Sequence, residues 1–362
     1  MSANRGSPQD FEAVIPTAGK EAVAEFGQRK SAMQRFQSLL HRVPSLVPLI
    51  VLLVSILGFG VVVGQRFFSA YALTLILQQV MITGIVGVAQ TLVILTAGIE
   101  LSVGAIMVLS SVVMGQCAMS YGLPAPLAVL VGLACGSALG FFNGVLVARV
   151  KLPPFIVTLG TWQIVLAADY LYSQHQTIGA AQIELQAPLL QFLGDTFTIG
   201  GKIGTGATFT YGAILMLLLV AVMAYVLRHT AWGRHVYAVG DDPEAAELAG
   251  VPVKRILISV YTLSGLICAV AGWALIGRVG AISPNSGQFE NINSITAVVI
   301  GGISLFGGRG SILGMLFGAM IVGVFTLGLN MYGSDPQWTY LLIGVLIIAA
   351  VAVDQWIRKA VA

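Results

Sequence analysis

Gly240-Asp-Asp-Pro-Glu-Ala-Ala-Glu-Leu-Ala-Gly250 is a polar stretch between two long apolar runs, and its reading decides how the flanking chain folds. Asp242 can cap a helix, Pro243 suits its first position, Glu244 favours its positive end and Gly250 suits its stop. A helix of about two turns is too short to be stable alone in water. Displayed by a hydrophobic protein, it needs a partner to press against. The segment therefore reads as a polar island joining two membrane spans.

The composition agrees. Of 362 residues, 57% are hydrophobic and only 9% charged, and the mean hydropathy is +0.91. Soluble domains carry roughly 25% charged residues, so the chain reads as an all-α polytopic membrane protein. Its 43 glycines suit close helix–helix approach in a bilayer. The net charge of +3 comes with no dense basic patch, which argues against a nucleic-acid partner. Cys117, Cys135 and Cys268 lie in apolar segments without metal-type spacing and read as small buried hydrophobes. His41, His175, His229 and His235 have no Cys or carboxylate at ligand spacing, so no metal site is expected.

A span needs about 20 apolar residues. Ten runs qualify, at 46–64, 71–95, 103–121, 126–148, 154–172, 208–228, 256–277, 294–307, 311–332 and 338–357. The eighth is short and Gly-rich, which leaves nine or eleven spans open. Residues 1–45 read as a cytoplasmic tail, 46–357 as the transmembrane domain with a cytoplasmic loop at 229–255, and 358–362 as a cytoplasmic end. No apolar segment begins within the first forty residues, so no cleavable signal is expected. Phe36, Leu39 and Leu40, beside Arg35 and Arg42, read as a short interfacial helix. With both termini inside, fifteen Lys and Arg residues fall on the inner side and only Arg66, Lys202 and Arg278 outside. That asymmetry puts the 240–250 helix in the cytoplasm.

The longest loop, 173–207, is outer on this topology. It packs on the outer mouth, where a docked partner could reach it, or serves as a solvated connector. Ala97-Gly-Ile-Glu-Leu-Ser-Val-Gly104 and Gly301-Gly-Ile-Ser-Leu-Phe-Gly-Gly308 share Gly-Ile-x-Leu, a weak trace of an internal repeat.

Ionisable groups at membrane depth are expensive and usually functional. Glu100 and Asp169 are the clear cases. Glu100, flanked by Gly98 and Gly104, reads either as a polar hinge on a path or as a cap for the helix that follows. Asp169 reads as a path residue or an outer-interface residue. Two isolated acids make a poor proton relay. No hydrolase motif is present. Gly302 to Ser311 superficially echoes a phosphate loop but lacks its Lys, so any ATP must be bound by another subunit. Uncharged polar residues are more plentiful in the spans: Gln78, Gln79, Gln90, Asn143, Thr158, Thr161, Trp162, Gln163 and Asn330. Amides and hydroxyls with an aromatic ring suit a path for a neutral polyhydroxylated solute. Each alone also serves as glue between helices.

These residues resemble a known family. Gly240 to Gly250 is similar to the cytoplasmic coupling segment of ABC-importer sugar permeases of the ribose, xylose, arabinose, galactose and fructose type. Leu95-Thr-Ala-Gly-Ile-Glu-Leu-Ser-Val-Gly104, Lys151-Leu-Pro-Pro-Phe-Ile-Val-Thr-Leu-Gly-Thr161 and Ala297-Val-Val-Ile-Gly-Gly-Ile-Ser-Leu-Phe-Gly-Gly-Arg-Gly-Ser311 follow the family's order. Together they cover roughly residues 45–357. Val239-Gly-Asp-Asp-Pro-Glu and Gln337-Trp-Thr-Tyr-Leu-Leu look most like the fructose type. The resemblance implies a bacterial inner-membrane permease that is not itself an enzyme and works as a homodimer. It implies a cytoplasmic ATPase that binds ATP and Mg, and a periplasmic sugar-binding protein. The coupling role falls on Asp242, Pro243, Glu244, Ala245, Ala246, Glu247, Leu248, Ala249 and Gly250. Hinge and packing roles fall on Gly98, Glu100, Ser102, Gly104, Gly301, Gly302, Gly307 and Gly308. Gly98, Glu100, Leu101 and Ser102 match a position where the family often has Asp. The competing reading is an ion-coupled sugar transporter using Glu100 and Asp169; a non-transporting membrane scaffold is a third.

Overall fold

The computed structural model describes residues 45–202, 205–287 and 289–359. The expected interfacial helix around Phe36, Leu39 and Leu40, and nearly all of the expected tail, lie outside the described residues. Thirteen helices follow one another among those residues: α1 (Leu46–Val63), α2 (Ala70–Leu95), α3 (Val103–Met119), α4 (Ala125–Ala148), α5 (Pro154–Ser173), α6 (Ala180–Gln186), α7 (Tyr211–His229), α8 (Ala231–Asp241), α9 (Pro243–Leu248), α10 (Val253–Val279), α11 (Glu290–Ile300), α12 (Ile312–Tyr332) and α13 (Pro336–Lys359). Seven of them, α1, α2, α4, α5, α7, α10 and α12, are long and apolar enough to cross a membrane. The chain is a multi-pass membrane protein.

Of the ten expected runs, three (103–121, 294–307 and 338–357) fall outside these seven, and the eighth departs most. The run at 294–307 becomes α11, which stops at Ile300 after 11 residues. At 1.5 Å per residue it covers only about 16 Å, roughly half of a bilayer core. Apolarity continues through Ile303, Leu305 and Phe306, but Gly301 and Gly302 remove the side chains that would hold the helix, and Gly302 turns to φ +74°.

The two central helices, α2 and α10, pack against each other. Around them the same arrangement occurs twice. Short α3 and long α4 lie on α10, as short α11 and long α12 lie on α2. In each set a final helix closes the group, α5 against α3 and α4, and α13 against α11 and α12. Because α2 ends where the α8–α9 region gathers and α10 begins there, the two sets run in opposite directions, an inverted repeat. The equivalent of the α2–α3 junction is then the α10–α11 junction, near 280–289. The Gly-Ile-x-Leu likeness between 97–104 and 301–308 is therefore not the repeat. Those two junctions are neighbours at one end of the molecule.

Burial follows this plan. α2 is buried almost throughout its second half, from Val80 to Leu95, whereas α1 and α5 keep large apolar side chains outward, among them Val61 at 85% and Leu171 at 78% exposed. An apolar exterior of this kind suits lipid or another subunit and not water. At the end opposite α9, the segment between α5 and α7 packs onto the bundle instead of hanging free. Ile183, Leu190 and Leu193 are buried, and Trp273 Nε1 donates to the Leu189 carbonyl at 3.1 Å. An antiparallel hairpin of β1 (Thr196–Ile199) and β2 (Ala207–Thr210) completes it.

Candidate functional site

Three loops meet at one end of the bundle. They are the α2–α3 junction, the turn from α8 into α9, and the α11–α12 junction. Gly308 N donates to the Leu95 carbonyl at 3.0 Å, and Tyr237 Oη donates to the Gly310 carbonyl at 2.9 Å. The approach is close because of two glycines. A methyl group on Gly240 would collide with the Leu95 carbonyl, and one on Gly307 would lie 2.5 Å from the Gly240 carbonyl and 2.7 Å from Ala97 N. Three stretches far apart in sequence are thus locked backbone to backbone.

The polar helix stands on this platform, shorter than expected. Gly240 and Asp241 belong to α8, and α9 is six residues, Pro243–Leu248. The break comes from Pro243, which disfavours helical backbone in the residue before it; Asp242 sits at φ −155°, ψ 103°. Asp242 then caps the new helix, its carboxylate accepting from Glu244 N at 2.9 Å and Ala245 N at 3.0 Å. Such a cap is worth about 1 kcal/mol. Ala246 alone is buried beneath α9, while Glu244, Ala245, Glu247, Ala249 and Gly250 are exposed and Leu248 is 91% exposed. A large aliphatic side chain held in the open just after two exposed acids is a contact waiting for a partner.

Behind the platform lies a buried polar network. Glu100, 2% exposed, takes a hydrogen bond from Ser102 N at 2.7 Å on Oε1 and a short one from Ser102 Oγ. Asn143 Nδ2 donates to Glu100 Oε2 and to Ser102 Oγ, each at 3.1 Å. Thr161 Oγ1 donates to Asn143 Oδ1 at 2.6 Å, and Thr158 Oγ1 to the Ile99 carbonyl at 3.0 Å. The junction before α3 is thereby tied to α4 and α5. Gly98 leaves room beside Tyr261, whose hydroxyl a methyl there would meet at 2.8 Å.

Two turns along α5 from Thr161, on the same buried face, comes Asp169. It borders a cavity of 290 Å³ with Trp162, Leu166 and Tyr170 of α5, Gly104, Ala105 and Val108 of α3, and Pro284, Phe289, Asn291 and Ile292 at the start of α11. Asp169 is 1% exposed, and both carboxylate oxygens meet no donor among the described residues.

The other polar span residues scatter. Gln78 Nε2 donates to the Thr208 carbonyl at 3.0 Å, fixing β2 to α2. Gln79 Oε1 accepts from Arg278 Nη2 at 2.8 Å. Gln90 is wholly buried with its amide atoms unpartnered among the described residues. Gln163 and Asn330 are exposed. Gly301 lies against Gly314, where α11 ends on α12.

Sequence reasoning missed a third acid. Glu290, at the first position of α11, accepts from Thr83 Oγ1 at 2.9 Å and Asn293 Nδ2 at 3.1 Å. Its signal lay just before a span expected to begin at 294, so it read as a loop residue.

Comparison with known proteins settles the family. Residues 72–351 match a family model described as a branched-chain amino acid transport system / permease component. The chain belongs to this permease family. It is 64% identical over 354 residues to the fructose import permease protein of Rhizobium meliloti, covering 98% of this chain and 97% of that one. It is 34% identical to the ribose import permease protein of Bacillus subtilis (strain 168), covering 85% of this chain and 90% of that one. It is 31% identical to the xylose transport system permease protein of Escherichia coli (strain K12), covering 98% and 99%. No solved structure matches. The permease is a translocation subunit of the ABC-transporter type and not an enzyme. None of these relatives is named as an ion-coupled transporter.

Proposed function

We propose that this permease carries a monosaccharide, fructose first among candidates, through a bacterial inner membrane in an ATP-driven importer. One observation carries the reading: 64% identity along nearly the whole chain to a fructose import permease. The partners follow from the same reading. Two copies of the permease enclose the path, a cytoplasmic ATPase holds ATP and Mg, and a periplasmic binding protein delivers the sugar. Both termini and α9 face the cytoplasm, in keeping with the Lys and Arg asymmetry.

In this mechanism α9 sits in a groove of the ATPase. Closure of the ATPase pushes α9, and the push passes through Gly240 and its backbone contact with Leu95 and Gly307 to α2, α3 and α11. Because α8 and α9 join α7 to α10, the stroke also rocks α10 and changes which side the path faces. The exposed Leu248, Glu244 and Glu247 support this role. Uptake of labelled fructose, ribose and xylose in a deletion strain complemented with the permease tests it. Fructose uptake is expected to return with the native chain and to stay at background with Glu244→Lys/Glu247→Lys at equal membrane abundance. Fructose uptake that survives loss of the ATPase would overturn the importer mechanism.

A further inference from the structure

The cavity beside Asp169 is lined like a binding site. Its walls are mostly aliphatic and aromatic, with few polar groups, the usual makeup of small-ligand pockets. At 290 Å³ it is at the small end of their range of about 300–1,000 Å³. A carboxyl group with two buried, unpartnered oxygens needs hydrogen-bond donors. No side chain among the described residues supplies them. A metal ion does not fit: among the described residues no group of three or more His, Cys, Asp or Glu could hold one. The Asn291 amide, 4% exposed, lies across from the acid, its own oxygen occupied by Ile292 N at 2.9 Å. The Trp162 indole forms a wall on the Asp169 helix.

Resting on the importer reading, we propose that this cavity is a half-site for a neutral monosaccharide, with Asp169 accepting from two adjacent sugar hydroxyls and Trp162 packing on the ring's C–H face. Adjacent hydroxyls present two donors at the spacing of a carboxylate's two oxygens, a pairing that hydrogen bonds to a charged acceptor make strong. In this reading Asp169 is the residue that orients the sugar, through the two hydroxyls it holds.

The test uses the full importer, permease with its ATPase and binding protein, in proteoliposomes. Fructose uptake and the ATP hydrolysis stimulated by loaded binding protein are measured together. Asp169→Asn is expected to slow uptake about tenfold or more at equal permease abundance in the vesicles, the size of a lost pair of hydrogen bonds. Native permease should move deoxyfructoses lacking one of the paired hydroxyls about tenfold slower than fructose; Asp169→Asn should no longer distinguish them. Native uptake and native discrimination in Asp169→Asn would overturn the proposal, since the acid would then serve only water. If that variant does not reach the membrane, Asp169→Glu and Trp162→Phe decide; an unchanged deoxysugar profile in both overturns it. No fructose, ribose or xylose uptake by the native importer would instead sink the importer reading itself.

Discussion

Glu100 and Asp169 are both carboxylates buried in an apolar bundle, and their surroundings are opposite. Glu100 receives donors from Ser102 and Asn143, and Thr161 in turn fixes Asn143. Asp169, on the buried face of the same α5 that carries Thr161, receives none among the described residues. Burying a carboxylate is costly unless its oxygens are satisfied. The first site repays that cost within the fold, and so it serves the fold: it ties the glycine-locked junction to α4 and α5. The second leaves the cost standing, which a protein tolerates where something arrives to offset it. A buried polar group is read by its partners, not by its depth.

The contrast is broken most directly at Glu100. Glu100→Ala strands the Ser102 and Asn143 donors in a dry site and should cost about 3–5 kcal/mol. In a detergent-solubilised thermal unfolding assay this appears as a large drop in midpoint or as no recoverable folded permease. A midpoint within error of the native chain would mean the network contributes nothing to stability.

Coupling comes next in size. Thr161→Val removes the donor to Asn143 Oδ1 and should cost about 1–2 kcal/mol. Combined with Glu100→Gln it should depart from additivity by about 0.5–3 kcal/mol, because both sit in one network. Glu100→Gln combined with Asp169→Asn should add to within about 0.5 kcal/mol, since the two share no partner. Additivity in the first pair, or strong coupling in the second, would merge two sites that the structure keeps apart.

Much of this layout was legible in the sequence and its failures have physical causes. Nine of the ten apolar runs became helices within a few residues of their expected bounds, because about 20 apolar residues in a bilayer have few alternatives. The eighth misled because Ile303, Leu305 and Phe306 are as apolar as a span, while the glycines around them decide the backbone. The bend at Asp242 was encoded in Pro243 but overlooked, since the cap and the helix start were read without the preceding α8. Glu100 and Asp169 stood out by residue type. What separates them did not: Asn143 lies 43 residues from Glu100, and only the packing of α4 against the α3 junction brings it there. Long-range partners leave no local periodicity, so a sequence names the buried acid without saying whether it is satisfied.

The last expected effect runs in the opposite direction and is the most telling. If Asp169 has no structural partner, Asp169→Leu should leave stability unchanged or raise it, by up to about 1–3 kcal/mol, because it removes an uncompensated buried carboxyl. Leucine is close to aspartate in length and adds apolar contact with Leu166 and Val108 along the cavity wall, so overpacking is the one opposing term, and the cavity leaves room for it. The measurement is the same thermal unfolding series used for Glu100→Ala, in one detergent and without sugar. A loss as large as that of Glu100→Ala would mean Asp169 holds the fold after all, and the contrast between the two acids would fall. A neutral or raised midpoint, together with slowed import, would place the cost of Asp169 on transport alone.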